Sequence, residues 1–477
     1  MKLQIRPILA MLVLLSAPLA KAQTGSGDSS QSSSSGSSQS GSSDSSQSGS
    51  SGSSSQDQSG NGPQQVFTHP QNGPSLSFLG EATSNNFVKI GLGATAAYDT
   101  NGSAFSSPSF SQTQGIFTAS LQLTQTRPKV TWDVSGTAGL STSNVPGYET
   151  TSTPYLSAGL LWQISQRWQF HVRETYLYST DPFQQYTVYG GTPSFNQPNP
   201  TTYAPLATTE SNYAYADLTY QMSAYDSITF TGTENLTQYA NGFYTSSSLY
   251  NWYAWGGVGQ YQHVFSARLS AGGSYSYTAV DYGHGQSRSG IQSIQGFATY
   301  KIHPNMSLTG WVGPDYTATK NVVPIFCTPF GCYYEVFHNA SWSEAFGGNF
   351  AWSGRRDTAS LSFSKAITDG GILFGISQTY LVRGSYSRQL APRWSLNLST
   401  LWGDNTGYAT RFQAQHLNSL TAYAGVTRQV TPALSAAAQY VFFHETQRNL
   451  RGATVPTWND NRFQFTLQYT WGHSLGR

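Results

Sequence analysis

Few side chains in this chain of 477 residues have types and spacings suited to chemistry. Ser362-Phe363-Ser364-Lys365 matches the S-x-x-K spacing of an acylating serine and its lysine. That chemistry needs both groups on one helix face, whereas residues three apart on a strand face opposite ways. No K-T-G follows. His171, His263, His338 and His444 are scattered, with no H-E-x-x-H and no neighbouring Ser/Asp set. Cys327 and Cys332 enclose four residues, including Pro329 and Gly331. The gap is too long for a C-x-x-C redox pair and suits a structural disulfide in an exported chain. That bond closes a six-residue ring and stabilises its loop by roughly 2 kcal/mol in the chain-entropy model. The sequence therefore offers no catalytic residues, no metal site and no cofactor. What remains is a sparse set of charges, Lys89, Asp133, Arg173, Asp217 and Arg383, and their meaning depends on the elements that carry them.

Residues 1–22 have the layout of a secretory signal peptide: Lys2 and Arg6, then the apolar "ILAMLVLL", then Ala20-Lys21-Ala22. Residues 23–85 read as a disordered linker rich in Ser, Gly and Gln, followed by an irregular lead-in with Pro70 and Pro74. As a flexible coil its first forty or so residues reach roughly 35 Å. Only 10% of all residues are charged, where about 25% is ordinary for a soluble domain. Aromatics reach 14%, with 30 tyrosines. Net charge is +2, and removing the leader's three cations leaves the rest close to neutral, so nothing points to a nucleic-acid partner. No apolar run after Ala22 approaches the roughly 20 residues of a membrane helix.

From Phe87 the apolar period is two. Val88, Ile90, Leu92, Ala94, Ala96 and Tyr98 alternate with Lys89, Gly91, Gly93, Thr95 and Ala97, the pattern of a strand with one apolar face. The pattern recurs to the last strand, where Phe463, Phe465, Leu467, Tyr469 and Trp471 alternate with Gln464, Thr466, Gln468 and Thr470. Eight short turns, from Arg127-Pro128-Lys129 to Thr431-Pro432, divide the runs into hairpins of about 40 residues. The expected fold is all-β: a transmembrane, antiparallel, up-and-down β-barrel over 86–477, with about 18 strands. The segment from Lys365 to Gln378 reads ambiguously and leaves sixteen as the alternative. Aromatics cluster beside the short turns (Trp132, Trp162, Trp168, Tyr220, Tyr300, Trp352, Trp394) and again near the long loops (Tyr176, Tyr178, Trp255, Trp402, Phe442), as two interfacial girdles would.

If the apolar positions face lipid, the alternate positions face water. They are mostly Ser, Thr, Asn and Gln, and Lys89, Asp133, Arg173, Asp217 and Arg383 become pore-lining candidates. Glu174, Glu234 and Glu344 fall on the apolar parity, near the long-loop ends of their strands, where headgroups or a bulge would relieve them. The last strand must pair with the first, near Val88, to abolish the sheet edges.

The stretch "KIGLGATAAYDTN", its corner Tyr98-Asp99-Thr100-Asn101 and the repeated hairpins resemble outer-membrane proteins of the β-barrel porin 2 type, from about Phe87 onward. The resemblance implies a bacterial outer-membrane channel; the hydroxyl- and amide-rich inward positions imply passive passage of small neutral polar solutes, and the aromatics of the loop after Asp181 add saccharides, because aromatic faces stack on sugar rings. Relatives beside exopolysaccharide secretion systems imply export as an alternative, and a non-conducting surface interaction barrel is a third reading. The layout also resembles general porins, whose third loop folds inward. By that likeness Tyr186, Tyr189, Phe195 and Tyr203, between Asp181 and Thr209, are constriction-loop candidates facing Arg173 and Arg383. Phe463 to Trp471 resembles the terminal assembly signal read by the barrel-assembly machinery, although Gly472 to Arg477 follow the last aromatic. The implied partners are membrane lipid, that machinery and the solutes; the oligomeric state stays open.

Overall fold

A computed structural model describes residues 86–101, 111–144, 150–179, 208–240, 251–283, 287–328, 331–369, 376–407, 415–449 and 457–474. The expected signal peptide, the Ser-rich linker and the residues 186–203 of the proposed constriction loop lie outside these. Every regular element among the described residues is a strand. In chain order they are β1 (Phe87–Asp99), β2 (Gln112–Thr126), β3 (Val130–Ser143), β4 (Thr150–Ser152), β5 (Tyr155–Gln163), β6 (Trp168–Ser179), β7 (Thr208–Gln221), β8 (Asp226–Ala240), β9 (Trp252–Val264) and β10 (Leu269–Tyr282). Then follow β11 (Ser287–His303), β12 (Met306–Thr328), β13 (Gly331–Ser353), β14 (Asp357–Asp369), β15 (Ile376–Ala391), β16 (Trp394–Gly407), β17 (Gln415–Gln429), β18 (Leu434–Asn449) and β19 (Trp458–Ser474).

Apart from β4 and β5, each strand pairs antiparallel with its neighbours in sequence, and β1 pairs with β19 from Phe87↔Ser474 to Asp99↔Arg462, which closes the sheet. β4 and β5 are two pieces of one span. Both pair with β3, and Thr153-Pro154 interrupts them because proline has no amide proton for the ladder. The barrel therefore has 18 spans, the larger of the two expected numbers. All eight expected short turns are present and share one rim with Asn86 and the end of β19.

The alternation has the expected sense. Ile90, Leu92, Phe117, Leu121, Phe230, Ile294, Val312, Leu361, Phe463 and Leu467 are exposed on the outside. Their partners in parity, such as Thr118, Ser120, Thr131 and Ser395, face inward. So continuous an apolar exterior is incompatible with water, and pairing the first strand with the last leaves no free sheet edge at the seam. The chain is a transmembrane β-barrel of the bacterial outer-membrane type.

Two departures from a regular ring occur around β12 to β15. First, β12 and β13 are 23 residues each and form a ribbon that outruns its neighbours. The stretch holding Cys327 and Cys332, expected as a long loop, is the end of this ribbon, because the β-branched and aromatic residues around it favour strand pairing. The backbone register sets Cys327 opposite Cys332; their side chains lie outside the described residues. Second, β13 and β14 pair only from Phe346↔Lys365 to Ser353↔Thr358. Beyond Lys365, β14 leaves β13 but stays paired with β15 to Asp369↔Ile376. This end of β14–β15 turns into the barrel. The Ile367 amide donates to Asp315 Oδ2 on the inner face of β12 (3.4 Å). Ile367 and Ile376 join a buried cluster with Trp252, Ala254, Val280, Tyr282 and Ile291, which line the inner wall of β9 to β11.

Candidate functional site

The candidate site is the lumen. Three of the five expected charges meet on one patch of its wall. Arg173 on β6 donates from Nη2 to Asp133 Oδ1 on β3 (2.8 Å) and from Nη1 to Ser157 Oγ on β5 (3.1 Å). Gly159 lies between them in the register, opposite both Asp133 and Arg173. A Cβ at Gly159 would sit 2.7 Å from both Arg173 Nη2 and Asp133 Oδ1, so the absent side chain is what lets the arginine cross. Asp217 on β7 accepts from Thr231 Oγ1 (2.6 Å) and faces His171 Nδ1 at 3.5 Å. His171 in turn shares a hydrogen bond with the Tyr215 hydroxyl (3.4 Å), and Tyr215 is the register partner of Arg173. The patch is thus a hydrogen-bonded polar wall of two carboxylates and one arginine, with each acid facing a cation or a donor.

The other two candidates stand apart from it. Lys89 lies on the inner face of β1 near the short-turn rim, its Nζ 4.5 Å from the centre of the Phe87 ring. Arg383 lies on the inner face of β15, opposite Ser362 and Leu401 in the register. Ser362 and Lys365 face opposite sides of β14, so the S-x-x-K spacing brings no pair together. Among the described residues, no three His, Cys, Asp or Glu side chains converge to hold a metal ion.

A second inner cluster escaped the sequence reading. At the closing seam Arg462, 3% exposed, donates to Gln114 Oε1 (2.8 Å) and lies 3.5 Å from Asp99 Oδ1. Gln114 donates onward to Ser141 Oγ (2.6 Å). Beside it the Asn101 amide and the Thr100 hydroxyl donate to Asp460, and Trp458 Nε1 donates to the Asn101 carbonyl. The Tyr98-Asp99-Thr100-Asn101 corner therefore fastens β1 to β19. Arg462 shares the parity of Gln464, and Asp99 that of Lys89, so extending each alternating run by its terminal residue finds both. Asp315 was missed for another reason: it follows Pro314, which breaks the strand signal.

Two of the three expected outward carboxylates, Glu344 and Glu174, have partners towards the long-loop ends, as does Glu210. Glu344 forms an ion pair with Lys365, which also faces the rings of Phe346 and Tyr380. Glu344 is 68% exposed, in keeping with a headgroup-level site. Glu174 accepts from Asn212 Nδ2 (3.1 Å), and Glu210 accepts from the Tyr176 hydroxyl (3.2 Å).

No family model matches the chain, and no curated protein matches it. Several solved structures are similar to it. Pseudomonas aeruginosa OccK2 (OpdF) aligns with a TM-score of 0.40 at 10% identity, covering 80% of this chain and 98% of that one. Acinetobacter baumannii OccAB4 gives 0.39 at 11%, covering 82% and 99%. The closed form of the ferric-catecholate import receptor Fiu of E. coli K12 gives 0.42 at 8%, covering 80% and 81%. Likeness at this level carries no argument about function, which rests on the barrel itself.

Proposed function

We propose that the barrel is a passive channel for small neutral polar solutes. One observation carries the reading: the inward positions of the closed 18-span sheet form a hydroxyl- and amide-rich surface in which Arg173 is paired with Asp133 and Asp217 accepts from Thr231. A closed sheet of this strand number leaves an aqueous lumen, whereas one of eight strands is filled by its own side chains. A lumen with many donors and acceptors and little net field favours neutral solutes over strongly charged ones. The resemblance to the β-barrel porin 2 type supports the same reading, and saccharides are the solute class that hydroxyl-rich walls suit. The mechanism is binding and diffusion, with no bond made or broken.

Reconstitution of the purified protein in planar bilayers tests this. Steady ohmic openings with weak ion selectivity are expected, together with swelling of liposomes in small sugars. Silence in both assays, from protein whose gel migration is heat-modifiable, would exclude the channel.

A further inference from the structure

The inturned end of β14–β15 has an unusual relation to its own side-chain parity. On β14, Leu361 and Phe363 face outward, and Ile367 continues their parity. On β15, Tyr380 and Val382 face outward, and Ile376 continues theirs. By alternation both isoleucines belong on the lipid side. Yet Ile367 is 0% exposed and Ile376 4%, and both pack on inward-facing Trp252, Val280, Tyr282 and Ile291. The two facts agree only if the end of β14–β15 slides inside β12 and β13. Its outer face then rests on the barrel's inner wall. It also explains why that wall is apolar there, although a water-lined lumen has no use for Trp252 or Ile291.

The overlap frees backbone groups. Past Lys365, β14 has lost β13 as a ladder partner, so the Ile367 amide needs another acceptor. Asp315, itself 0% exposed, supplies it from the wall of β12. The carboxylate thus replaces a missing strand as the partner of the inturned end. Two stacked sheet layers stand about 10 Å apart, so the overlap removes a layer of that thickness from one side of the lumen.

We infer that the inturned end of β14–β15, held by Asp315 and seated by Ile367 and Ile376, sets the size limit for solutes of this channel. The inference rests on the channel reading. Asp315 is a positioning residue that acts through the backbone of β14.

The test compares the full-length wild type with Asp315→Ala, Asp315→Asn and the double variant Ile367→Ala/Ile376→Ala. Each is measured for single-channel conductance in potassium chloride and for liposome swelling with sugars of graded size. Asp315→Ala and the double variant should raise conductance about twofold or more and admit larger sugars. Asp315→Asn keeps an oxygen acceptor and should hold the wild-type limit. A structural role alone would lower the temperature of the heat-modifiable transition in all variants without moving the limit. If Asp315→Ala does not assemble, the double variant decides by the same comparison. Conducting variants with an unchanged size limit overturn the inference alone. Silence of every protein, wild type included, overturns the channel reading and the inference with it.

Discussion

Arg173 reaches Asp133 by crossing directly over Gly159, a residue whose only contribution is the room it leaves. The pair is part-buried, so its worth to folding is on the order of 1 kcal/mol, but it fixes where positive charge stands on the lumen wall. Gly159→Ala should push the guanidinium off the carboxylate while the barrel still assembles. Reversal potentials across a salt gradient should then move measurably from the wild-type value; an unchanged potential would mean that Arg173 does not face the conduction path.

Arg383 lies on the opposite part of the inner wall, on β15. Arg383→Glu should shift selectivity towards cations, again read from the reversal potential. An unshifted value would place Arg383 away from the permeating ions.

Arg462 is buried between Asp99 and Gln114 at the seam that closes the barrel. Arg462→Ala leaves a buried carboxylate without its cation, a change that costs roughly 3–5 kcal/mol. The temperature at which the folded gel band gives way to the unfolded one should fall clearly. Arg462→Lys should recover only part of the loss, because a single ammonium cannot reach both partners as the guanidinium fork does.

The tail after Trp471 is not all tail. Gly472, His473 and Ser474 continue β19 and pair with Lys89, Val88 and Phe87. Truncation after Trp471 therefore removes three register pairs and should lower the unfolding temperature of the barrel. Trp471→Ala should instead reduce the yield of assembled protein in the outer membrane. Equal assembly yields for Trp471→Ala and wild type would show that the final aromatic is not the signal for the assembly machinery.

Cys327 and Cys332 are backbone register partners at the end of the β12–β13 ribbon. If they are bonded, unfolded protein should take up a thiol reagent only after reduction. Labelling before reduction would show two free thiols.

The sequence displays the barrel well because each span is a local object. In β1 or β19 the alternation of large apolar with small polar residues is visible within a dozen positions, and Pro128, Pro304, Pro392 and Pro432 mark the turns. Much of the lumen follows from the same rule, since Asp133, Arg173 and Asp217 need only the correct parity. The inturned end of β14–β15 is not visible this way. Ile367 and Ile376 keep perfect alternation, and what changes is the surface that their outer face meets. That surface belongs to β9, β10 and β11, some 75 to 125 positions away along the chain for Ile367 and Ile376 taken with Trp252 and Ile291. The ambiguity between Lys365 and Gln378 marked the place without revealing the cause. Gly159 is likewise unremarkable in sequence, because its role exists only between Asp133 and Arg173 on neighbouring strands.

In a ring of strands the circumference is fixed by strand number and stagger, and it changes only if a ladder is broken. The overlap beyond Phe346 and Lys365 makes the long-loop half of this barrel a roll instead, one edge tucked under the other. In such a roll the circumference of the long-loop half is no longer set by strand number and stagger, whereas the short-turn half is laddered all the way round. The girth of the mouth is thereby uncoupled from the girth of the base.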